Sequence, residues 1–422
     1  MRVALINYII AKQQGEGFIL RVEDIDKSHN IEGKDTEVKQ LLEKFAVHHD
    51  QLVYQSEGLH RYQQLAVSLV ELDKAFVCTC TAEELEADRG RARLEKIPYQ
   101  YSGRCFNNST EALKLIKEKN LPYLIRIKLP EASIEFVDQV KGEVATPPNE
   151  VDSFVILRAD GNPTSTFSYA VDDMLGGITT VIRGEDYLSD TPKQIHIRSQ
   201  LGYEDLIKHA HVPVILSING KKMSEQDDAN SIKWLLGQGF LPDAIINYLL
   251  LLGNKTPMEV FTLPEAIEWF SLGTISKSPA KFDLDKLRLL NREHLRKMDD
   301  KALSSMYGFA DAQIGRLVKL YLGEASTIRE LDIKIKPIFA PKPCSGKWGQ
   351  QMHIISDLIA NAPVFDSFDE LKNFITERSG LENENLFKPI RLLLTGAEHG
   401  PELTDLYPLI KSYILEVARC PR

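Results

Sequence analysis

A chain of 422 residues exceeds what one ordinary core organises, so two to four domains are expected. Its apolar and charged fractions, 43% and 26%, are those of a soluble globular protein. A net charge of −9 excludes nucleic-acid binding by bulk charge and leaves only a local basic patch for it; five cysteines in this length do not make a disulfide scaffold.

The opening "MRVALINYIIAKQQ" has the basic start and apolar run of a signal peptide. Leu5, Ile6, Ile9 and Ile10 nevertheless fall at helical spacing and no small-residue cleavage site follows, which predicts a helix and a cytoplasmic protein. "GFILRVEDID" then predicts a short strand running into Glu23, Asp24 and Asp26. Such carboxylates either grip an ammonium group or are solvated loop charges. A sheet that opens on a helix also leads us to expect a further strand upstream of Met1.

Residues 76–150 read as an insertion, with a helical "TAEELEADRGRARLEK" and strand-like "YLIRIKLP" and "SIEFVDQV". Cys78 and Cys80 flank one residue, Cys105 follows, and Tyr101 stands four residues before it. Thiolates at this spacing suit tetrahedral zinc with Tyr101 or water as fourth ligand. Three buried free thiols would satisfy the same spacing.

"SFVILRADG", a helical "TSTFSYAVDDML" and "GITTVIRGED" give the order strand, helix, strand, which predicts a parallel sheet with functional groups at strand ends. Arg183 at such an end is a natural fork for a carboxylate ligand. "NGKKMSEQDD" (219–228) suits a loop that holds phosphates, except that Glu225 stands where a further positive charge is expected. Helical patterns dominate from about residue 230. Their most apolar run, "AIINYLLLLG", is too short to span a membrane and contains Asn247. Residues 277–298 carry seven Lys or Arg against three Asp or Glu, which suits either a phosphate-backbone surface or an ordinary solvated helix.

In this order, "FILRVEDIDKS", "AVDDMLGGITTVIRGEDYLSDTPKQ", "PVILSINGKKMSEQ", "SIKWLLGQGFLPDAIINYLLLLG", "SPAKFDLDKLRLLNREHL" and "LFKPIRLLLTGAEHGPELTDLYPLI" resemble the bacterial glutamyl-tRNA synthetase family over nearly the whole chain. The helical tail separates this resemblance from the sister glutaminyl enzymes, which end in β-barrels. The resemblance implies an α/β Rossmann-like catalytic domain with a parallel sheet (1–75 and 151–220), an acceptor-binding α/β insertion (76–150), a loop and stem-contact helical region (221–300) and an all-α anticodon-binding domain (301–422). It implies a monomer that uses ATP, with Mg2+, to activate L-glutamate and charge tRNA-Glu, tRNA-Gln or both. The rival readings are a tRNA-binding relative that has lost its ATP site and is impaired or inactive in catalysis, and a glutaminyl-type synthetase.

By the same resemblance, Arg183 pairs with the glutamate side-chain carboxylate and Glu23 with its amino group, while Ser165 and Tyr169 border that pocket. Lys221, Lys222, Asp186, Val214, Ile215 and Leu216 would hold ATP, with Lys222 and Ser224 in the catalytic loop. Cys78, Cys80, Cys105 and Tyr101 would hold Zn2+, and Lys281, Lys286, Arg288 and Arg292 would face tRNA. Three departures stand out. The family's opening strand with its HIGH motif would precede Met1, "PTSTF" puts Ser165 where the family carries a Tyr, and Glu225 replaces the second Lys of KMSKS.

Overall fold

The computed structural model describes residues 1–422 except 28–29, 109, 120, 204–205, 224–230 and 422. Backbone packing separates two compact units, the first holding 1–223, 250–259 and 263–282, the second 224–249, 260–262 and 283–422. Among the described residues no helix is long and apolar enough to cross a membrane.

The first unit opens on the helix Arg2–Gln14, which buries Leu5, Ile6, Ile9 and Ile10. Gly15 stops it at φ 67°, a conformation that costs glycine nothing, and its N–H closes on the carbonyls of Ala11 and Lys12. The strands that follow are β1 (Ile19–Val22), β2 (Gln51–Tyr54), β3 (Ala75–Cys78), β4 (Leu124–Ile127), β5 (Ile134–Asp138), β6 (Gly142–Thr146), β7 (Val155–Leu157), β8 (Thr180–Gly184), β9 (Lys208–Val212), β10 (Ile215–Leu216) and β11 (Ala280–Lys281). β1 and β2 pair in parallel, as do β10 and β11. A four-stranded sheet runs β6-β5-β9-β8, with β8, β9 and β5 parallel and β6 folded back on β5.

The sequence suggested β7 and β8 as the parallel neighbours across the helix Ser165–Leu175. Instead β7 joins an antiparallel sheet in the order β3-β4-β7, and the parallel pair is β8–β9 across the helix Thr191–Gln200. The cause is local. The chain reverses directly after Leu157, where Arg158 N–H bonds the Asn162 carbonyl and Thr164 N–H returns to Ile156. The buried faces of these strands, Val77, Ile125, Ile127 and Ile156, pack with Tyr62, Leu69, Phe167 and Val171 into one core.

The second unit is helical. Its core joins Leu317, Leu331, Ile335, Ile355, Ile375, Ile390, Leu406 and Tyr407 from successive amphipathic helices. Helix starts are written locally, as at Ser367, where a reciprocal capping box with Glu370 opens Phe368–Ser379. The sequence pointed to no disulfide scaffold, and a single bond joins Cys344 to Cys420, with Cα atoms 5.7 Å apart across 76 residues of chain.

Candidate active site

Parallel pairing of β8 and β9 sets Arg183 opposite His211, so both side chains leave the same face of the sheet. Arg183 donates from Nε to His211 Nε2 at 3.1 Å and from Nη2 to Thr191 Oγ1 at 2.6 Å, and its guanidinium lies 5.5 Å from the Tyr187 ring centre. His211 Nδ1 lies 2.6 Å from Asp138 Oδ2, and both side chains are fully buried. Among the described residues no carboxylate is ion-paired with Arg183. Burial pulls its pKa below the usual arginine value, and the more distant Asp173 and Asp190 do not offset this. A desolvated guanidinium with its outer edge uncommitted is a ready receptor for an anion.

Glu23 follows β1 and is exposed. The Tyr169 hydroxyl neighbours its carboxylate; burial, and then this neighbour, raise the phenol pKa. Tyr169 is itself buried and carries the Arg21 guanidinium 5.0 Å from its ring centre. Ser165 is exposed, one turn earlier on the same helix. Arg21 donates to Asp173 at 2.8 Å, while Asp172 accepts from Tyr62 at 2.6 Å and Gln55 at 2.7 Å. A cavity of about 350 Å³ opens beside Asn7, Arg21, Asp172, Asp173 and Ile182. The neighbouring acids have other duties: Asp24 accepts from Ser56 N–H at 2.8 Å, and Asp26 lies 4.0 Å from Arg158.

Val214, Ile215 and Leu216 are half-buried, and Val214 N–H is fixed by Glu185 at 3.0 Å. A tight turn follows. Ser217 N–H bonds the Lys221 carbonyl at 2.7 Å, Gly220 takes φ 77°, and Met223 N–H returns to Ile215 at 3.1 Å. Lys221 and Lys222 are exposed at its exit, and Lys222 pairs with Asp186 at 3.2 Å. Ser224 and Glu225 lie outside the described residues.

Cys78 ends β3 and Cys105 lies in the turn that follows Tyr101. The Sγ atoms of Cys78, Cys80 and Cys105 lie within 4.8 Å of one another, and the Tyr101 hydroxyl is 3.4 Å and 3.3 Å from Cys78 and Cys80. Cys80 and Cys105 are 3.6 Å apart, close to the edge of a tetrahedron with Zn–S bonds of about 2.3 Å. The donor set therefore fits zinc, and the spacing's two readings converge on one cluster of thiols.

Lys281 is exposed on β11 in the first unit. In the second, Lys286, Arg288 and Arg292 sit on the helix Leu284–Lys297; Arg288 is paired with Glu330, and Arg292 Nε is buried without a hydrogen-bond partner among the described residues. The sequence reading missed Arg21, Asp138, Tyr187, Thr191 and His211. Its available signal was "HAHVP", two histidines one strand period apart on one face.

The sequence matches the family described as tRNA synthetases class I (E and Q), catalytic domain, over residues 1–289. It is 55% identical to glutamate–tRNA ligase 2 of a Sulfurovum species, spanning 99% of this chain and 96% of the relative. It is 51% identical to glutamate–tRNA ligase 1 of a Nitratiruptor species, with the same shares of each covered. The fold superposes on a glutamate tRNA ligase from Elizabethkingia meningosepticum, solved in complex with its amino acid, at a TM-score of 0.81 and 25% identity, covering 99% of this chain and 94% of that one.

Proposed function

The chain belongs to the class I tRNA synthetases of the E and Q type and is a glutamate–tRNA ligase, and from this premise we propose how its residues divide the work. ATP, glutamate and tRNA are its substrates. The side-chain carboxylate of L-glutamate lies in the outer fork of Arg183, and its ammonium group meets Glu23, with Tyr169 closing that edge beyond the exposed Ser165. The adenine base stacks along Val214, Ile215 and Leu216. Lys221 and Lys222 neutralise the triphosphate, which brings its Mg2+ with it, and Lys222 exchanges Asp186 for phosphate as the reaction proceeds.

The α-carboxylate attacks the α-phosphorus and pyrophosphate leaves. Donors placed where that charge develops act more strongly in the transition state than in the ground state. Ser224 belongs to the same loop by its motif. The glutamyl group then passes to the 3′ end of the tRNA, whose phosphates meet Lys281, Lys286, Arg288 and Arg292; Arg288 reaches them by leaving Glu330. Zinc held by Cys78, Cys80, Cys105 and Tyr101 is structural, clamping the end of β3 to the Tyr101–Cys105 turn. We further propose a cytoplasmic monomer.

The observation that carries this reading is Arg183, a desolvated cation at the end of a sheet strand with no ion-paired carboxylate among the described residues. Arg183→Ala is expected to weaken L-glutamate binding at least tenfold, since truncating one partner of a buried charge pair costs ~2–5 kcal/mol. The affinity for tRNA should stay within about twofold, because phosphate contacts elsewhere supply it. Unchanged glutamate binding would remove Arg183 from the site.

A further inference from the structure

We infer that His211, locked in one tautomer by Asp138, is the positioning residue that aims Arg183 at the glutamate side chain; this rests on the reading of Arg183 given above. An arginine fork recognises a carboxylate only if the guanidinium plane is fixed, because both N–H bonds must align together. Arg183 is fixed from behind. Its Nε–H points at His211 Nε2 and one Nη2–H at Thr191 Oγ1, which leaves the outer edge to the ligand.

The imidazole can accept from Arg183 only if its proton sits on Nδ1. Asp138 provides that bias. Its Oδ1 accepts from the backbone N–H groups of Val140 at 2.9 Å, Lys141 at 2.7 Å and His211 at 3.3 Å, so Oδ2 alone faces His211 Nδ1. Every partner of the carboxylate is a donor. Asp138 sits where β5 meets β9, opposite His209, so the tertiary structure brings it to the site from 73 residues away in sequence.

An isosteric change exposes the logic. In Asp138→Asn one oxygen becomes an NH2 group. Turned toward the three backbone donors, that group would set N–H against N–H and forfeit several hydrogen bonds. Turned toward His211, it donates to Nδ1 and forces the proton onto Nε2, where it is drawn to Thr191 Oγ1 at 2.9 Å and opposes Arg183 Nε–H. The second arrangement sacrifices fewer bonds, so the variant should fold with Arg183 misaimed. A side chain of merely structural importance would not act through the proton position on a neighbour.

The test uses the full chain, with binding of L-glutamate and of ATP measured separately by calorimetry and the His211 tautomer read by 15N NMR of histidine-labelled protein. Asp138→Asn should weaken glutamate by at least about tenfold, leave ATP within about twofold, and move the His211 proton from Nδ1 to Nε2. His211→Gln, whose amide oxygen can still accept from Arg183, should stay within about threefold of the parent, whereas His211→Leu, which packs but cannot accept, should lose about tenfold. These two carry the test if Asp138→Asn fails to fold. Parental glutamate affinity in Asp138→Asn or His211→Leu, alongside a weakened Arg183→Ala, overturns the positioning role alone. Equal losses for glutamate and ATP overturn it too, since they indicate general damage. Parental affinity in Arg183→Ala overturns the reading of Arg183 itself and the positioning role with it.

Discussion

Lys222 Nζ lies 3.2 Å from Asp186 Oδ2, tying the turn after β10 to the turn after β8. Both side chains are about half exposed, and such a pair is worth ~0.2–1 kcal/mol. A triphosphate can therefore take Lys222 from Asp186 at little cost. Lys222→Ala is expected to slow ATP–pyrophosphate exchange by ~10²–10³, the usual effect of losing one placed donor. Asp186→Ala should shift folding stability by no more than about 1 kcal/mol. An undiminished exchange rate in Lys222→Ala would show that the loop does not work on the phosphates.

The thiol cluster predicts the metal content. Protein purified without chelators should carry about one zinc per chain by elemental analysis. Cys78→Ser or Cys105→Ser should lose it, because each removes one of three convergent Sγ atoms. Cys344 and Cys420 are bonded to each other, so replacing both should leave the zinc in place. Metal-free parental protein would leave the cluster as buried thiols.

Tyr169 offers a graded test of the ammonium end of the pocket. Tyr169→Phe keeps the ring beneath Arg21 and deletes only the hydroxyl that neighbours Glu23 and, in the proposed pocket, would meet the bound glutamate. A hydrogen bond to a charged group is worth ~1.5–3 kcal/mol. Glutamate affinity should accordingly fall by about tenfold or more, with ATP affinity unchanged. Equal binding by the two proteins would place the amino group elsewhere.

His209 makes stability depend on pH. Burial, with the neighbouring Arg198 and Arg183, pushes its pKa down to about 3. The unfolded chain titrates near the ordinary value of about 6.5, so below that pH it binds a proton that the folded state refuses. The contribution to stability is thus retained above about pH 6.5 and lost as pH falls toward 3, at about 1.4 kcal/mol per unit. Denaturant titrations should show His209→Gln losing about 2 kcal/mol less than the parent between pH 7 and pH 5. Parallel pH profiles would mean that His209 charges freely in the folded protein.

Local sequence determined a good deal. Apolar residues at helical spacing marked the Arg2–Gln14 helix, a cysteine pair with Tyr101 and Cys105 marked the thiol cluster, and charge directly after β1 and β8 marked the strand ends that carry Glu23 and Arg183. These signals act over a few residues, where backbone periodicity and turn chemistry are strong. Tertiary structure decided what faces Arg183. The parallel register of β8 and β9 sets it against His211, and Asp138 arrives from a distant strand to fix that ring. It also sent β7 away from β8 and joined Cys344 to Cys420. Such pairings depend on closing long stretches of chain and on satisfying buried charges together, and no short stretch of sequence carries that information.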